Sequence, residues 1–402
     1  MAEESCEVVV AGGGIVGCSV AYFLAARGVS VVLMDPGGLG SGSSGHATGS
    51  LSMLGAEFEH DASFDLALAG YRVFGDIVDH VEEVSGVSMR FQRRPSLRLA
   101  LEPEEEASIR DAMAWQTKYL PVEWVEKDRV HEIDPRLSDQ IRGAAFEPES
   151  SQVDSYLATM AFGQAAERLG ARVVARGASG LDVQSGRVTA VHHEGGSIAC
   201  GSVVLAMGPW AEEASAWLGL DIPVVPMKGE RLLLRYAGDP LPVFISSPRR
   251  GHMISMLDGL LSVGSTGGRD YDRRDAFRGT EFDNIPTEAA MMELMQRAID
   301  VFPDLENAEI VQQLAGSRPL SGDLRPLIGP VPGVEGAFLA TGHTTKGVHL
   351  GPVTGELIAN LITEGAFRTS ADIDIDKAAF APARFSAETA YDYEALGDRT
   401  DE

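Results

Sequence analysis

Three glycines in GxGxxG spacing, Gly12, Gly14 and Gly17, lie between a β-branched run, Glu7-Val8-Val9-Val10-Ala11, and an apolar segment of helical periodicity from Ile15 to Arg27. In that context the spacing points to a dinucleotide. The first glycine permits a tight turn, the second lets the backbone approach a pyrophosphate, and the third lets helix and strand pack closely. The amides at the helix start, at Ile15 and Val16, add donors and the positive end of the helix dipole. Asp35 ends the next apolar run, Val29 to Met34, 18 residues after Gly17. A carboxylate there accepts hydrogen bonds from ribose hydroxyls and repels a 2′-phosphate.

Other chemistries find less support. Cys6, Cys18 and Cys200 are an odd set without CxxC spacing, lie in apolar stretches, and read as reduced thiols of a cytoplasmic protein. His192 and His193 are adjacent on an expected strand and point to opposite faces; HExxH and GxSxG are absent, so neither a metal nor a nucleophilic triad is expected. With 33 basic and 59 acidic residues the net charge is −26, which repels nucleic acid and anionic lipid. The uncharged stretch Val8 to Ala26 nearly spans a bilayer, but acidic residues precede it and glycines interrupt it, so membrane insertion is not expected.

The elements that must position these residues follow from periodicity. Strand, glycine turn, helix (stopped at Gly28) and second strand form one βαβ unit. The Gly/Ser-rich stretch 37–55 reads as a cofactor loop. Helices are expected from Asp65 to Val84, Pro103 to Tyr119, Asp154 to Leu169 and Thr287 to Phe302, the last with Met291, Met292 and Met295 as core filler. Strands are expected at Ala171 to Val174, Gly186 to His193 and Ser202 to Leu205, the last ending on a turn at Gly208. The region Val224 to Val263 reads as antiparallel sheet with turns at Gly238-Asp239-Pro240 and Asp258-Gly259. A final strand, Phe338 to Thr341, a glycine-rich loop and a helix to Ile362, with Pro352 near its first turn, precede a polar, loosely attached tail after Ala366.

Taken together, the stretches VVVAGGGIVGCSVAYFLAARGVSVVLMD, ATGSLSMLGAEFEHDASFDLA, VVLAMGPW, PMKGE, GSRPLSGDLRPLIGPVPG and ATGHTTKGVHLGPVTGELIANLI resemble the FAD-dependent amino-acid oxidase superfamily, and within it the bacterial glycine oxidases and sarcosine oxidase-type enzymes. The resemblance implies an α/β chain with a discontinuous Rossmann-type FAD-binding domain (1–80, 150–220 and 316–366), a substrate domain on an antiparallel sheet with flanking helices (81–149 and 221–315) and a polar tail (367–402). It implies FAD contacts at Gly12, Gly14, Ile15, Val16, Gly17, Asp35, Ser43, Ser44, Gly45, His46, Thr48, Gly49, Val174, Gly208, Gly342, Thr344, Thr345, Lys346, Gly347 and Val348. A reduced flavin gathers negative charge near N1, and a helix N-terminus with Lys346 beside it suits that charge.

In the same resemblance Arg318 holds the substrate carboxylate, its planar donors reaching both oxygens. Two departures stand out. Met253 replaces an aromatic hydroxyl that faces the substrate, and Thr345 replaces a second arginine, so the substrate need not be glycine. His46, in Gly45-His46-Ala47-Thr48-Gly49, aligns with a histidine that carries covalent FAD in some relatives; noncovalent FAD is expected here, with the covalent link as the alternative. A lysine that activates oxygen in some relatives has no counterpart near Ser262.

The expected reaction is oxidation of a small amino or N-alkyl amino acid by hydride transfer to flavin N5, giving an imine that hydrolyses, with O2 or another acceptor taking the electrons. A 2-hydroxy-acid dehydrogenase using His46 or His252 as base, a flavin-binding subunit of a larger complex and an NAD-dependent enzyme are the alternatives. Homo-oligomerisation is left open.

Overall fold

The computed structural model describes residues 4–54, 58–266, 282 and 284–385. Two large sheets organise it. The first has six strands in the order Leu327–Pro330, Ala337–Thr341, Ser202–Leu205, Val8–Ala11, Val31–Met34 and Arg172–Val174, all parallel except the Leu327–Pro330 edge. Val8–Ala11 and Val31–Met34 are buried at every position, as a parallel sheet covered on both faces requires. One face carries the helices Ile15–Ala25, Ala62–Ser85, Ser155–Arg168 and Gly347–Glu364.

The expected helices form with small shifts. Asp61, Asp154 and Thr287 each accept an amide of the first turn through the side chain, which fixes the starts at Ala62, Ser155 and Glu288. The first helix ends at Ala25, two residues short of Arg27. Pro103–Gln116 stops short of Tyr119. Pro352 falls in the second turn of its helix rather than the first. The loop that follows Asp35 holds one short helix, Ser43–His46.

The second sheet has eight strands in the order Glu309–Ser321, Val224–Arg235, Leu261–Gly264, Gly251–Ser255, Phe244–Ser247, Ser96–Ala100, Gly143–Glu147 and Glu123–Glu126. All pairs are antiparallel except Phe244–Ser247 with Ser96–Ala100. The long strand Glu309–Ser321 crosses the expected boundary at 316. Leu232, Leu234, Ile245, Met253 and Val263 bury one face of this sheet against the helix Glu288–Val301. Met291 and Met295 pack there as expected, but Met292 points outward and is 64% exposed. Residues of the opposite face line a cleft.

The chain beyond Ala366 is not loose as far as the described residues reach. Phe380 is fully buried, Ile375 and Phe385 nearly so, and Arg384 pairs with Asp323 at 2.8 Å. Polar composition hid these few apolar anchors. The tail from 386, and the parts of the expected substrate domain at 267–281 and 283, lie outside the described residues.

Candidate active site

A cleft of about 1160 Å³ runs from the glycine turn of the parallel sheet across the face of the second sheet opposite the helix Glu288–Val301. At its first end Gly12 adopts φ +114°, and a Cβ there would overlap the Ala206 carbonyl; a Cβ on Gly17 would overlap the Gly12 carbonyl. Gly12 and Gly14 line the cleft, whereas Gly17 serves strand–helix packing. Asp35 accepts from the Gly13 and Gly37 amides, both at 2.8 Å, and from the Ser41 hydroxyl at 3.2 Å. These bonds fix the carboxylate at the cleft edge, with one lone pair of Oδ2 left for a ribose hydroxyl. The Ile15 amide donates to Ser44 Oγ at 3.0 Å, which leaves the Ser44 proton for an anion. Ser43 donates to the Ser317 carbonyl, tying the loop to the strand that carries Arg318.

Most of the expected cofactor residues meet at this cleft: Ile15, Val16, Asp35, Ser43, Ser44, His46, Thr48, Gly49, Gly208, Thr344, Thr345, Lys346, Gly347 and Val348 all line it. Gly45, Val174 and Gly342 do not. Gly45 is pressed on the Gly40 carbonyl, Val174 lies within the sheet edge beside Met34, and Gly342 turns the chain at φ +74° against Ser321 and Leu327. Lys346 stands at the N-terminus of the helix Gly347–Glu364, and its Nζ lies 4.6 Å from the centre of the Phe58 ring. The turn before it holds Thr344 at φ +51°, pinned by its amide to the Pro319 carbonyl at 2.9 Å.

Arg318 lines the cleft and donates to the Thr266 carbonyl at 3.0 Å. Met253 does not reach it. The side chain is 2% exposed and packs in the core on the far face of the sheet. Strand alternation explains the correction: the neighbouring His252 is the residue that faces the cleft. Burial together with Arg231 and Arg318 pushes His252 down to about 3, so it is neutral. His46 also lines the cleft, its pKa lowered by burial and by Arg231.

Arg231, like Arg98 and Ser246, is a cleft residue that sequence reasoning missed. It follows the quoted stretch PMKGE directly, and alternation from Gly229 puts it on the cleft face. Burial lowers its pKa to about 10. Its Nη1 donates to Ser262 Oγ at 3.1 Å, and its buried Nε has no hydrogen-bond partner among the described residues.

A dinucleotide cradle that opens directly onto a cationic sheet face is the layout of a flavin- or nicotinamide-dependent oxidoreductase. Residues 7–361 match the family model described as FAD dependent oxidoreductase, and the chain belongs to that family. It is 31% identical to a glycine oxidase of Geobacillus kaustophilus over 364 residues, 89% of this chain and 92% of that protein. It is 30% identical to a glycine oxidase of Pseudomonas putida, covering 94% of this chain and 98% of that one. Among solved structures, glycine oxidase from Geobacillus kaustophilus superposes with a TM-score of 0.85 at 28% identity, covering 95% and 100% of the two chains. An L-proline dehydrogenase from P. horikoshii superposes with a TM-score of 0.83 at 25% identity, covering 95% and 98%.

The residues present fit FAD. The close approach at Gly12 and Gly14, the fixed Asp35 carboxylate and the helix N-terminus at Gly347 supply a turn, a ribose acceptor and a site for negative charge. Among the described residues no His/Cys/Asp/Glu cluster could hold a metal, and no helix is long and apolar enough to cross a membrane.

Proposed function

We propose that this chain oxidises a small amino or N-alkyl amino acid at the α-carbon, releasing an imine that water hydrolyses to a carbonyl compound and an amine or ammonia. The observation that carries the reading is Arg318 on the cleft face of the second sheet, in the same cleft as the cofactor cradle. Bound FAD supplies the two-electron acceptor. Gly12, Gly14, Asp35, Ser43, Ser44, Thr48 and Gly49 would hold its adenine and pyrophosphate side. Thr344, Thr345, Lys346, Gly347 and Val348 would face the ring; the Thr344 and Lys346 amides are spent on the Pro319 and His343 carbonyls, so the later amides and the helix dipole would meet its charge. Arg318 forks onto the substrate carboxylate and sets the α-carbon at a fixed height and angle.

A 2-hydroxy acid would require a base for its hydroxyl proton, and His252, held near 3, is a poor one. An amine delivered in its neutral form needs no such base. The flavin is read as noncovalent, so acid precipitation should release it into the supernatant. Retention of yellow colour in the pellet would reassign His46 as its covalent attachment. The electrons are read as passing to O2 or another acceptor, and a cytoplasmic setting fits the unpaired thiols.

The deciding experiment is anaerobic mixing of the purified holoenzyme with glycine, sarcosine, D-amino acids, cyclic imino acids and 2-hydroxy acids. Bleaching of the flavin band by amino acids supports the reading. Bleaching by hydroxy acids alone, or by nothing, overturns it. An Arg318→Ala variant should raise KM by about 10- to 100-fold, the loss of one charge-assisted fork.

A further inference from the structure

Four strands bring polar side chains into one row across the cleft face. Arg98 pairs with Ser246, Ser246 with His252, His252 with Gly264, and Gly264 with Arg231, each directly opposite the next, so all point to the same side of the sheet. Arg98, Ser246, His252 and Arg231 all line the cleft. Gly264 leaves a gap in the row: a Cβ there would stand 3.1 Å from Arg231 Cβ and 3.2 Å from the His252 ring, so its absence lets those two residues close over it. Phe244 flanks the row, its ring 6.1 Å from that of His252.

Three buried atoms of this row have no hydrogen-bond partner among the described residues: Ser246 Oγ, His252 Nε2 and Arg231 Nε. Buried polar atoms are normally satisfied, and three orphans on adjoining side chains, all lining one cleft, mark a place where a ligand supplies the partner. Arg231 has no ion pair among the described residues, and the carboxylates that act on it, Asp154 and Asp258, do so at a distance. Glu230, its neighbour, is not the missing partner. Its oxygens are taken by the Thr287 amide and hydroxyl and by Gln313. An uncompensated guanidinium in a low-dielectric wall is costly, and an incoming carboxylate removes that cost.

We infer that the substrate carries a second carboxylate, held by Arg231 with Ser246 and His252, in addition to the one on Arg318. The inference rests on the amino-acid reading above and narrows it to acidic amino acids or N-carboxyalkyl amino acids. Arg318 faces the same cleft, two residues further along the paired strands from the register of Gly229 and Gly316. The two guanidiniums thus offer one site for each end of a short dianion. In a chain of net charge −26, such local cations are what lets a dianion dwell in the cleft at all.

The test compares isosteres on the holoenzyme. Aspartate, glutamate and N-(carboxymethyl)glycine are set against asparagine, glutamine and N-propylglycine in anaerobic flavin reduction. Independently of turnover, succinate is set against butyrate in titrations of the flavin absorbance. The acids should win in kcat/KM, and succinate in Kd, by about 10- to 100-fold. Arg231→Met should shrink both ratios to within a few-fold, and Arg231→Lys should keep most of them. Preference for the neutral isosteres in the wild type, or ratios unchanged in Arg231→Met, overturns the inference. Should Arg231→Met fail to retain flavin, the wild-type ratios and Arg231→Lys still decide. Flavin reduced by neutral amino acids but not by acids sinks this inference alone. If no amine reduces it, the amino-acid reading falls, whatever succinate does.

Discussion

Gly229 lies beneath the Arg318 guanidinium so closely that a Cβ on it would overlap the guanidinium carbon. The atom in the way is the mobile end of a long side chain, so a methyl group there moves the arginine and not the fold. Gly229→Ala is therefore expected to leave thermal stability within about 1 kcal/mol while raising KM for amino acids about tenfold or more. Unchanged KM, or stability lost together with activity, contradicts this placement of Arg318.

The glycine turn behaves in the opposite way, because backbone and not side chain opposes it. A Cβ on Gly17 meets the Gly12 carbonyl, and one on Gly12 meets the Ala206 carbonyl at a φ that L-residues rarely adopt. Gly17→Ala should cost about 1–3 kcal/mol through overpacking, and Gly12→Ala should in addition strip the flavin. The ratio of flavin absorbance to protein absorbance after gel filtration measures the second effect.

Two buried histidines on the cleft wall set a pH dependence of stability. His343 shares a 3.0 Å hydrogen bond with Thr354 Oγ1, and His349 Nε2 donates to the Ala67 carbonyl at 2.8 Å. Burial pushes the first down to about 3; burial, aided by the charge of Lys346, pushes the second to about 4. In the unfolded chain each titrates near its usual value of about 6.5. The unfolded state therefore binds more protons as pH falls below that value. Stability is full above about pH 6.5 and is lost on acidification, at up to about 1.4 kcal/mol per pH unit for each histidine. Urea unfolding between pH 7 and 5 should show His349→Gln with a shallower loss than wild type. Identical slopes count against it.

The anchored C-terminal segment makes its own claim. Phe380 is fully buried and Arg384 holds Asp323 on the cleft rim. Phe380→Ala should destabilise by about 3–5 kcal/mol, read as a fall in the urea midpoint with an unchanged slope.

The cofactor half of the site was legible in sequence because its information is local. Gly12, Gly14, Gly17 and Asp35 lie within one βαβ unit, and each has a specific steric or electrostatic duty that spacing reveals. The substrate half, Arg318 apart, was not. Arg98, Ser246, His252 and Arg231 come from four strands, and only cross-strand register puts them in one row. Met253 shows how fine the margin is. A shift of one position along the strand exchanges a core methionine for a cleft histidine, because alternate side chains leave opposite faces. The two departures at Met253 and Thr345 were therefore only part of the picture, since Arg231 and His252 supply polar atoms on the cleft face that spacing alone did not disclose.

Residues 343–348, which wall one side of the cleft, are synthesised more than three hundred positions after the glycine turn that they face. A nascent chain thus displays half of its nucleotide cradle long before the opposing half exists. Capture of the prosthetic group is therefore expected late, and in a refolding experiment with FAD present from the start its uptake should lag the recovery of secondary structure.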